Sequence, residues 1–342
     1  MNKSRLIAAV LLLGGIAGAQ SVRIGVFGLF HAKELTVAPA PNAALVLEVG
    51  GESVALENRA ARLRISTSRI EVAAGSRSWQ GQRVLVHARD GGASDIVLSV
   101  PGKIRRQYHG VLEIVPGSGE LVPVVRMEME LAVASAVAAE SPPGALLEAL
   151  KAQAVATRSF YVAHANAHSI FDFCDSTHCQ FLRQPPPENS LVAPAVRETH
   201  GIVLTYRGAA FAAMFASSCG GRTRSLAELG LPLRDYPYFA VECPYCRSHA
   251  ETWTRELPVR VEGERGRLEV ARQRGWSALP SNSYRLREQG GVLIADGSGQ
   301  GHGLGLCQKG AAAMARDGKT FREILDHYYP NTVVTAAALA SR

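Results

Sequence analysis

Four side chains that can bind a metal ion lie close together in the stretch "HSIFDFCDSTHCQ", residues 168–180. They are His168, Cys174, His178 and Cys179, the ligand types of a zinc site made from two histidines and two cysteines. The spacing is not that of a zinc finger, and the adjacent His178 and Cys179 can converge only on a turn, which the surrounding Asp, Ser and Thr residues favour. If all four bind zinc, no coordination position is open to water, so the site is structural and its binding energy fixes the loop.

Two other interpretations of these residues fit the same spacing. In one, Cys174 and Cys179 form a disulfide and both histidines are solvated. In the other, three of the four residues bind zinc and a water molecule completes the coordination, which makes the metal catalytic. Spacing alone does not separate a structural zinc from either alternative.

The remaining cysteines, Cys219, Cys243, Cys246 and Cys307, are an even number, and two of them form a CxxC pair. They predict either two disulfides or a second zinc site made from cysteines alone. Export to an oxidising compartment favours disulfides. A thioredoxin-like redox role lacks the βαβ setting that such a CxxC requires.

The amino terminus predicts export. "MNKSRLIAAVLLLGGIAGAQ" contains Lys3 and Arg5, then an apolar run, then Ala17-Gly18-Ala19. This order is typical of a secretory signal peptide over residues 1–19, and the run is short for a membrane span. We therefore expect a protein of the periplasm or cell envelope that has no membrane span after cleavage of the signal.

Composition indicates a globular protein. The chain has 342 residues, of which 47% are hydrophobic and 20% charged, with a formal net charge of +7. This length is enough for one large domain or two ordinary ones. The basic residues are scattered and no nucleic-acid motif accompanies them, so nucleic acid is excluded as a partner.

The pattern of elements changes near residue 120. Before it, short alternating segments such as "ARLRIS" and "DIVLSV" predict strands. After it, a helical segment ends near Glu140, Ser141-Pro142-Pro143 interrupts it, and "LLEALKAQAVATRSFY" predicts a helix with one buried face. We expect an α+β fold, with a β-rich amino-terminal region at 20–120 and a mixed helix and strand catalytic core at 121–342 that contains the zinc-stapled loop.

Four blocks of this sequence resemble, in order, the signature blocks of the stage II sporulation protein D family, which includes proteins called amidase enhancers. The blocks are "LLEALKAQAVATRSF", "CDSTHCQ", "FASSCGGRT" and "GHGLGLCQKGAAAMARDGKTFREILDHYYP". The resemblance covers roughly residues 121–335. It implies a lytic transglycosylase that cleaves peptidoglycan glycan strands, notably those stripped of stem peptides. It also implies zinc binding by the His, Cys, His, Cys set of residues 168–179.

The family has a glutamate shortly before its signature helix, and Glu140 in "AAESPPG" occupies that position. The glycine and methionine that flank the family's glutamate are absent here. One carboxyl group suffices for a lytic transglycosylase, because the nucleophile is the C6 hydroxyl of the substrate's own N-acetylmuramic acid, which closes a 1,6-anhydro ring. We therefore predict Glu140 as the catalytic acid and base. Without the resemblance, a cap of the following helix is the favoured role of Glu140.

The protonation of Glu140 is not decided by the sequence. The apolar run "LAVASAVAA" before it favours a raised pKa, because burial disfavours the carboxylate. The amino terminus of the following helix would lower the pKa.

Six further residues are predicted to bind substrate, two in the signature helix, two in the "SSCGG" segment and two in the glycine-rich turn. They are Gln153, Arg158, Ser217, Ser218, His302 and Gln308. Gln153 and Arg158 could equally be buried structural groups, and His302 could equally be structural. The chain lacks the GxSxG elbow of a serine hydrolase and the Lys-Ser/Thr of a P-loop.

Two other functions fit the same sequence. One is a non-catalytic protein that binds glycan and stimulates a partner cell-wall amidase. The other is a zinc-dependent wall amidase, in which metal-bound water attacks an amide.

Overall fold

The computed structural model of the chain describes residues 20–164, 168–233, 235–257 and 275–337, with the single residues 266 and 270. The predicted signal peptide at 1–19 lies outside these residues. The strands that it describes are β1 Ser21–Gly25, β2 Glu34–Pro39, β3 Leu45–Val49, β4 Glu52–Ala55, β5 Ala61–Ser66, β6 Arg69–Ala74, β7 Arg77–Gly81, β8 Val84–Ala88, β9 Ser94–Val100, β10 Ile104–Pro116, β11 Leu121–Glu128, β12 Phe173–Cys174, β13 Ile202–Tyr206, β14 Ala209–Ala210, β15 Phe215–Ala216, β16 Thr252–Leu257, β17 Tyr284–Gln289, β18 Val292–Ser298, β19 Leu306–Cys307 and β20 Val333–Ala336. The helices are α1 Met129–Glu140, α2 Leu147–Ala163, α3 Val192–Glu198, α4 Pro244–Ser248, α5 Gln308–Arg316 and α6 Phe321–Tyr328, with a short 3₁₀ turn at Gly28–Phe30.

The amino-terminal part is one twelve-stranded sheet, antiparallel except where β12 joins β1. Its central strand, β10, pairs with β9 over its first half and with β11 and β8 over its second half. The change of neighbours occurs at Gly110, where a Cβ atom would lie 2.5 Å from the Arg126 carbonyl oxygen. Glycine therefore permits the close approach at which the sheet branches.

Alternating residues of these strands form the first hydrophobic core. In β5, Ala61 and Leu63 are buried while Arg62 and Arg64 are exposed, the period of two that a half-covered strand requires. Helices α1 and α2 contribute to the same core through residues such as Val133. The predicted α+β fold, with a β-rich part followed by mixed helices and strands, is confirmed. The boundary at residue 120 stays a prediction.

Helix α2 is buried on two sides. Leu150 and Ala154 belong to the first core, whereas Ala152 and Ala156 belong to a second core formed with α5, α6 and the strands around them. The prediction of one buried face was therefore too narrow. The small alanine side chains let neighbours approach the helix from both sides, a feature that hydrophobic periodicity alone does not reveal.

The chain between α1 and α2 places Glu140 at a helix end. Helix α1 ends at Glu140 and α2 begins at Leu147, so the predicted interruption at Ser141-Pro142-Pro143 is confirmed. A separate three-stranded sheet, β16-β18-β17, has its own small core around Tyr284. No helix within the described ranges combines the length and apolar character that a membrane span requires.

Candidate active site and metal centre

The loop with the predicted zinc ligands is attached to the edge of the large sheet. Its strand β12 pairs in parallel with β1, and the Asp175 main-chain N–H donates to the Gly25 carbonyl at 3.0 Å. The buried Asp175 carboxylate also accepts from the Phe27 N–H at 3.2 Å and from Arg106 Nη1 at 3.0 Å. The sheet thus fixes the chain immediately next to Cys174.

The four predicted ligands converge. Their ligand atoms all lie within 4.8 Å of one another. His168 Nε2 is 3.2 Å from Cys179 Sγ, and His178 Nδ1 is 3.5 Å from Cys179 Sγ and 3.8 Å from Cys174 Sγ. Residues 176–179 form the turn that the adjacent ligands need, closed by the Cys179 N–H on the Ser176 carbonyl at 3.1 Å.

These distances fit a single zinc ion. Bonds of about 2.3 Å to sulfur and 2.0 Å to nitrogen in a tetrahedron separate the ligand atoms by roughly 3.3–3.8 Å. Neither Cys174 nor Cys179 forms a disulfide. Zinc held by all four residues would tie the loop together without an open coordination position.

Glu140 lies directly beside this loop. Its Oε1 atom accepts a hydrogen bond from the main-chain N–H of Phe181 at 2.9 Å, two residues after Cys179. It does not cap α2, which begins seven residues later. The carboxyl group is therefore held by the chain that leaves the metal-binding turn.

The environment of Glu140 favours its neutral form. Burial raises the pKa of its carboxyl to about 7, although the Phe181 N–H acts to lower it. Its place as the last residue of α1 acts in the same direction as burial, because the carboxyl end of a helix carries partial negative charge. Near neutral pH the group is present in both protonation states, which suits a group that must give up and recover a proton.

The raised pKa predicts a pH-dependent stability of Glu140→Gln. An unfolded glutamate titrates near 4.5, so above pH 7 folding must bury a carboxylate that the unfolded chain prefers to solvate. The unfolding free energy of the variant minus that of the wild type should therefore be about 2 to 3 kcal/mol larger at pH 8.5 than at pH 4. Urea denaturation at the two pH values measures this difference. The same difference in unfolding free energy at both pH values would mean that the Glu140 pKa is not raised.

Gln308 and Gln153 meet near Glu140. The Gln308 Nε2 atom donates to the Glu140 carbonyl oxygen at 2.8 Å, and Gln153 Oε1 accepts from the Ser141 hydroxyl at 3.1 Å. Both amides line one small recess between α2 and α5, together with Pro142. Among the described residues, the buried Gln153 Nε2 has no hydrogen-bond partner. The predicted substrate contacts of both residues stay predictions.

Arg158 occupies a buried ion pair. Its Nε and Nη2 atoms donate to the two carboxylate oxygens of Glu130 at 2.7 and 2.5 Å, and its Nη1 donates to the Ile202 carbonyl at 2.9 Å. The side chain is 2% exposed. This is the structural alternative that the sequence left open, and it uses all three nitrogens of the guanidinium.

Removal of Arg158 is therefore expected to destabilise the fold. In Arg158→Met the Glu130 carboxylate, only 15% exposed, keeps the Gly201 N–H but loses its charged partner, which costs about 3–5 kcal/mol of unfolding free energy. Arg287→Met, which breaks the exposed pair with Asp296, should cost less than about 1 kcal/mol. Urea denaturation compares them. Similar small losses in both variants would contradict a structural role for the Arg158 pair.

The other predicted substrate contacts lie around the four remaining cysteines and the glycine-rich turn. Ser218 is buried with its hydroxyl 3.7 Å from Cys246 Sγ, and the Ser217 carbonyl accepts from the Lys309 N–H at 3.2 Å. The His302 Nδ1 atom accepts from the Leu304 N–H at 3.0 Å, within its own turn. Contacts of these side chains with substrate stay predictions.

Three features of this site were not predicted from the sequence. These are the Phe181 main-chain donor, the Arg106–Asp175 pair and Glu130 as the partner of Arg158. The Phe181 donor is a main-chain N–H, which almost every residue type has, so the sequence does not indicate it. The two ion pairs join residues that are 69 and 28 positions apart in the sequence, so spacing does not reveal them. The one indication was Asp175, an acidic residue inside the "CDSTHC" block.

Comparison with known proteins places these features in a family. Residues 117–206, which include Glu140, α2 and the metal-binding loop, match a family model described as "Stage II sporulation protein". An uncharacterized protein of Brachyspira hyodysenteriae is 28% identical over 269 residues, which is 65% of this chain and 71% of the relative.

Two relatives from Bacillus subtilis carry functional names. Stage II sporulation protein D is 25% identical over 270 residues, 63% of this chain and 76% of the relative. A protein named amidase enhancer is 34% identical over 62 residues, 18% of this chain and 9% of the relative. The similarity to stage II sporulation protein D thus extends well beyond the metal-binding loop.

Proposed function

This chain belongs to the stage II sporulation protein D family, and on that premise we propose that it is an exported lytic transglycosylase. Its substrate is the glycan strand of peptidoglycan, most readily strands without stem peptides. The family resemblance supplies the substrate class. The observation that carries the chemistry is the half-buried Glu140 carboxyl, with its pKa raised to about 7 and one oxygen held by the Phe181 N–H.

Glu140 performs both proton transfers in this proposal. As the acid, it protonates the glycosidic oxygen while the bond from that oxygen to C1 of N-acetylmuramic acid breaks. As the resulting carboxylate, it accepts the proton of the C6 hydroxyl while that oxygen bonds to C1. The products are a free hydroxyl on one sugar and a 1,6-anhydro ring on the other, and Glu140 returns to its protonated form. No water is consumed.

The surrounding residues of the chain orient this carboxyl. The Phe181 N–H engages Oε1, which leaves the other carboxyl oxygen to carry the proton. Gln308 holds the main-chain oxygen of the same residue. We propose that the Gln153 Nε2 atom, which has no partner among the described residues, and the predicted contacts other than Arg158 bind the sugar. Zinc on His168, Cys174, His178 and Cys179 would supply only rigidity to the loop that bears Phe181.

A second candidate function is stimulation of a cell-wall amidase without catalysis. The short similarity to a protein named amidase enhancer favours it. A zinc-dependent amidase is less well supported, because a site with four protein ligands has no position for the attacking water.

Product analysis separates these functions. The protein is incubated with intact peptidoglycan and with strands stripped of peptides, and the released fragments are identified by mass spectrometry. The proposal predicts anhydro-muramyl ends, formed faster on stripped strands. Free stem peptides would indicate an amidase, and binding without new ends of any kind would indicate an enhancer. Either of these results contradicts the proposal.

A further inference from the structure

A second cluster of cysteines lies away from the metal-binding loop. Cys219, Cys243, Cys246 and Cys307 come from three separate segments, yet each is no more than 3% exposed and their sulfur atoms all lie within 4.8 Å of one another. The Cys246 and Cys307 sulfurs are 3.5 Å apart, and none of the four forms a disulfide. In a disulfide, the two bonded sulfurs are about 2.05 Å apart. The four sulfurs here surround one point instead of forming two such pairs.

This arrangement fits one metal ion. Four thiolates bound to zinc at about 2.3 Å lie roughly 3.8 Å from one another. Iron–sulfur clusters with several irons spread their cysteines farther apart, because the thiolates bind different metal atoms. The 4.8 Å limit among all four sulfurs therefore favours a mononuclear site.

Hydrogen-bond donors surround the sulfurs. The main-chain N–H groups of Cys219 and Gly310 each point at Cys307 Sγ with distances of 3.4 Å. The Tyr328 hydroxyl is 3.4 Å from Cys243 Sγ. A zinc ion with four thiolates has a net charge of −2, and donors of this kind are the groups that stabilise such a centre in a protein interior.

The packing of α5 also depends on this cluster. A Cβ atom at Gly310 would lie 2.6 Å from Cys243 Sγ and 1.9 Å from the Tyr328 hydroxyl oxygen. Glycine at this position lets the first turn of α5 approach the sulfurs, while Cys307 caps the same helix by accepting from the Gly310 N–H. The four converging sulfurs, the helix cap at Cys307 and the close packing at Gly310 together indicate a site that is shaped for a metal ion.

We propose that Cys219, Cys243, Cys246 and Cys307 bind a single structural zinc ion. The ion joins the segment after β15, the start of α4 and the start of α5. The first residue of α5 is Gln308, which contacts the Glu140 carbonyl, so the metal lies behind one side of the recess near Glu140. The proposal concerns metal binding alone and does not depend on the proposed function.

The test is metal and thiol analysis of the exported chain, recovered from the cell envelope without added reductant or metal. Inductively coupled plasma mass spectrometry should find two zinc ions per chain, one for each cluster. After denaturation, chelation and alkylation, the intact mass should show six modified cysteines, the number in the sequence. One zinc ion with only two modified cysteines would reveal two disulfides and overturn the proposal, as would iron in place of the second zinc.

Two variants assign the ions to their clusters. Cys243→Ser should bind one zinc ion and Cys174→Ser should also bind one. Cobalt substitution distinguishes the ions that are left: Cys174→Ser keeps the intense sulfur-to-cobalt charge-transfer bands of a site with four thiolates, and Cys243→Ser shows weaker ones. Two zinc ions in Cys243→Ser would overturn the assignment. If that variant does not fold, the wild-type zinc and thiol counts still decide between zinc and disulfides.

Discussion

Glu140→Gln is expected to lower the rate of anhydro-muramyl end formation by at least about 10³-fold, because the same group performs both proton transfers. The amide still accepts the Phe181 hydrogen bond through its oxygen, so the metal-binding loop and the zinc content should not change. The rate is measured on peptide-stripped glycan strands by quantifying anhydro ends. The loss should appear in the chemical step, with strand binding close to that of the wild type.

Glu128→Gln is the matched control for this variant. Glu128 lies at the other end of the same helix, where its carboxylate accepts from the Leu131 N–H at 2.9 Å and caps α1. The substitution changes the same residue type on the same element and should leave activity within about twofold, since a weakened cap costs only about 1 kcal/mol. Activity of Glu140→Gln within tenfold of the wild type would remove Glu140 from the mechanism.

His178→Ala is expected to lower activity strongly, because it loosens the metal-binding loop and not because it removes a catalytic group. Loss of one ligand removes the free energy of zinc binding, on the order of 10 kcal/mol, that fixes the turn before Phe181. Without it, the Phe181 N–H no longer holds the Glu140 carboxyl. We expect the loss of one zinc ion per chain, at least about 100-fold lower activity, and faster amide hydrogen exchange in residues 174–182.

His200→Ala is the control for His178→Ala, because His200 is an exposed histidine outside both metal clusters. It should retain the wild-type zinc content and activity. Full activity in a His178→Ala protein shown to lack that zinc would mean that the metal does not support the Glu140 site.

The sequence was sufficient to predict the parts of the site that lie within short stretches. Ligands such as Cys174 and His178 fall within a few residues of one another, so residue type and a turn allowed a metal site, and the family resemblance favoured it over a disulfide. The helix end at Glu140 followed from the prolines after it. The change from a β-rich part to mixed helices and strands followed from periodicity, and the structure confirms this fold class.

Features that join distant segments could not be predicted in this way. Spacing allowed disulfides or a metal for the remaining cysteines, because Cys219 and Cys307 are 88 residues apart and only tertiary packing brings them together. The direction of the Glu140 pKa shift was also undecided, because it depends on how far the assembled fold buries the carboxyl. The branch of the sheet at Gly110 and the burial of α2 on two sides are likewise properties of the assembled cores.

The most direct test of the central claim is cleavage of peptide-stripped glycan strands in water enriched in oxygen-18, followed by mass spectrometry of the new muramyl ends. If the C6 hydroxyl of the substrate is the nucleophile and Glu140 only moves the proton, every new end is an anhydro ring without the heavy isotope. New reducing muramyl ends, labelled at C1 and formed in place of anhydro rings, would show that water attacks C1 and would contradict the account.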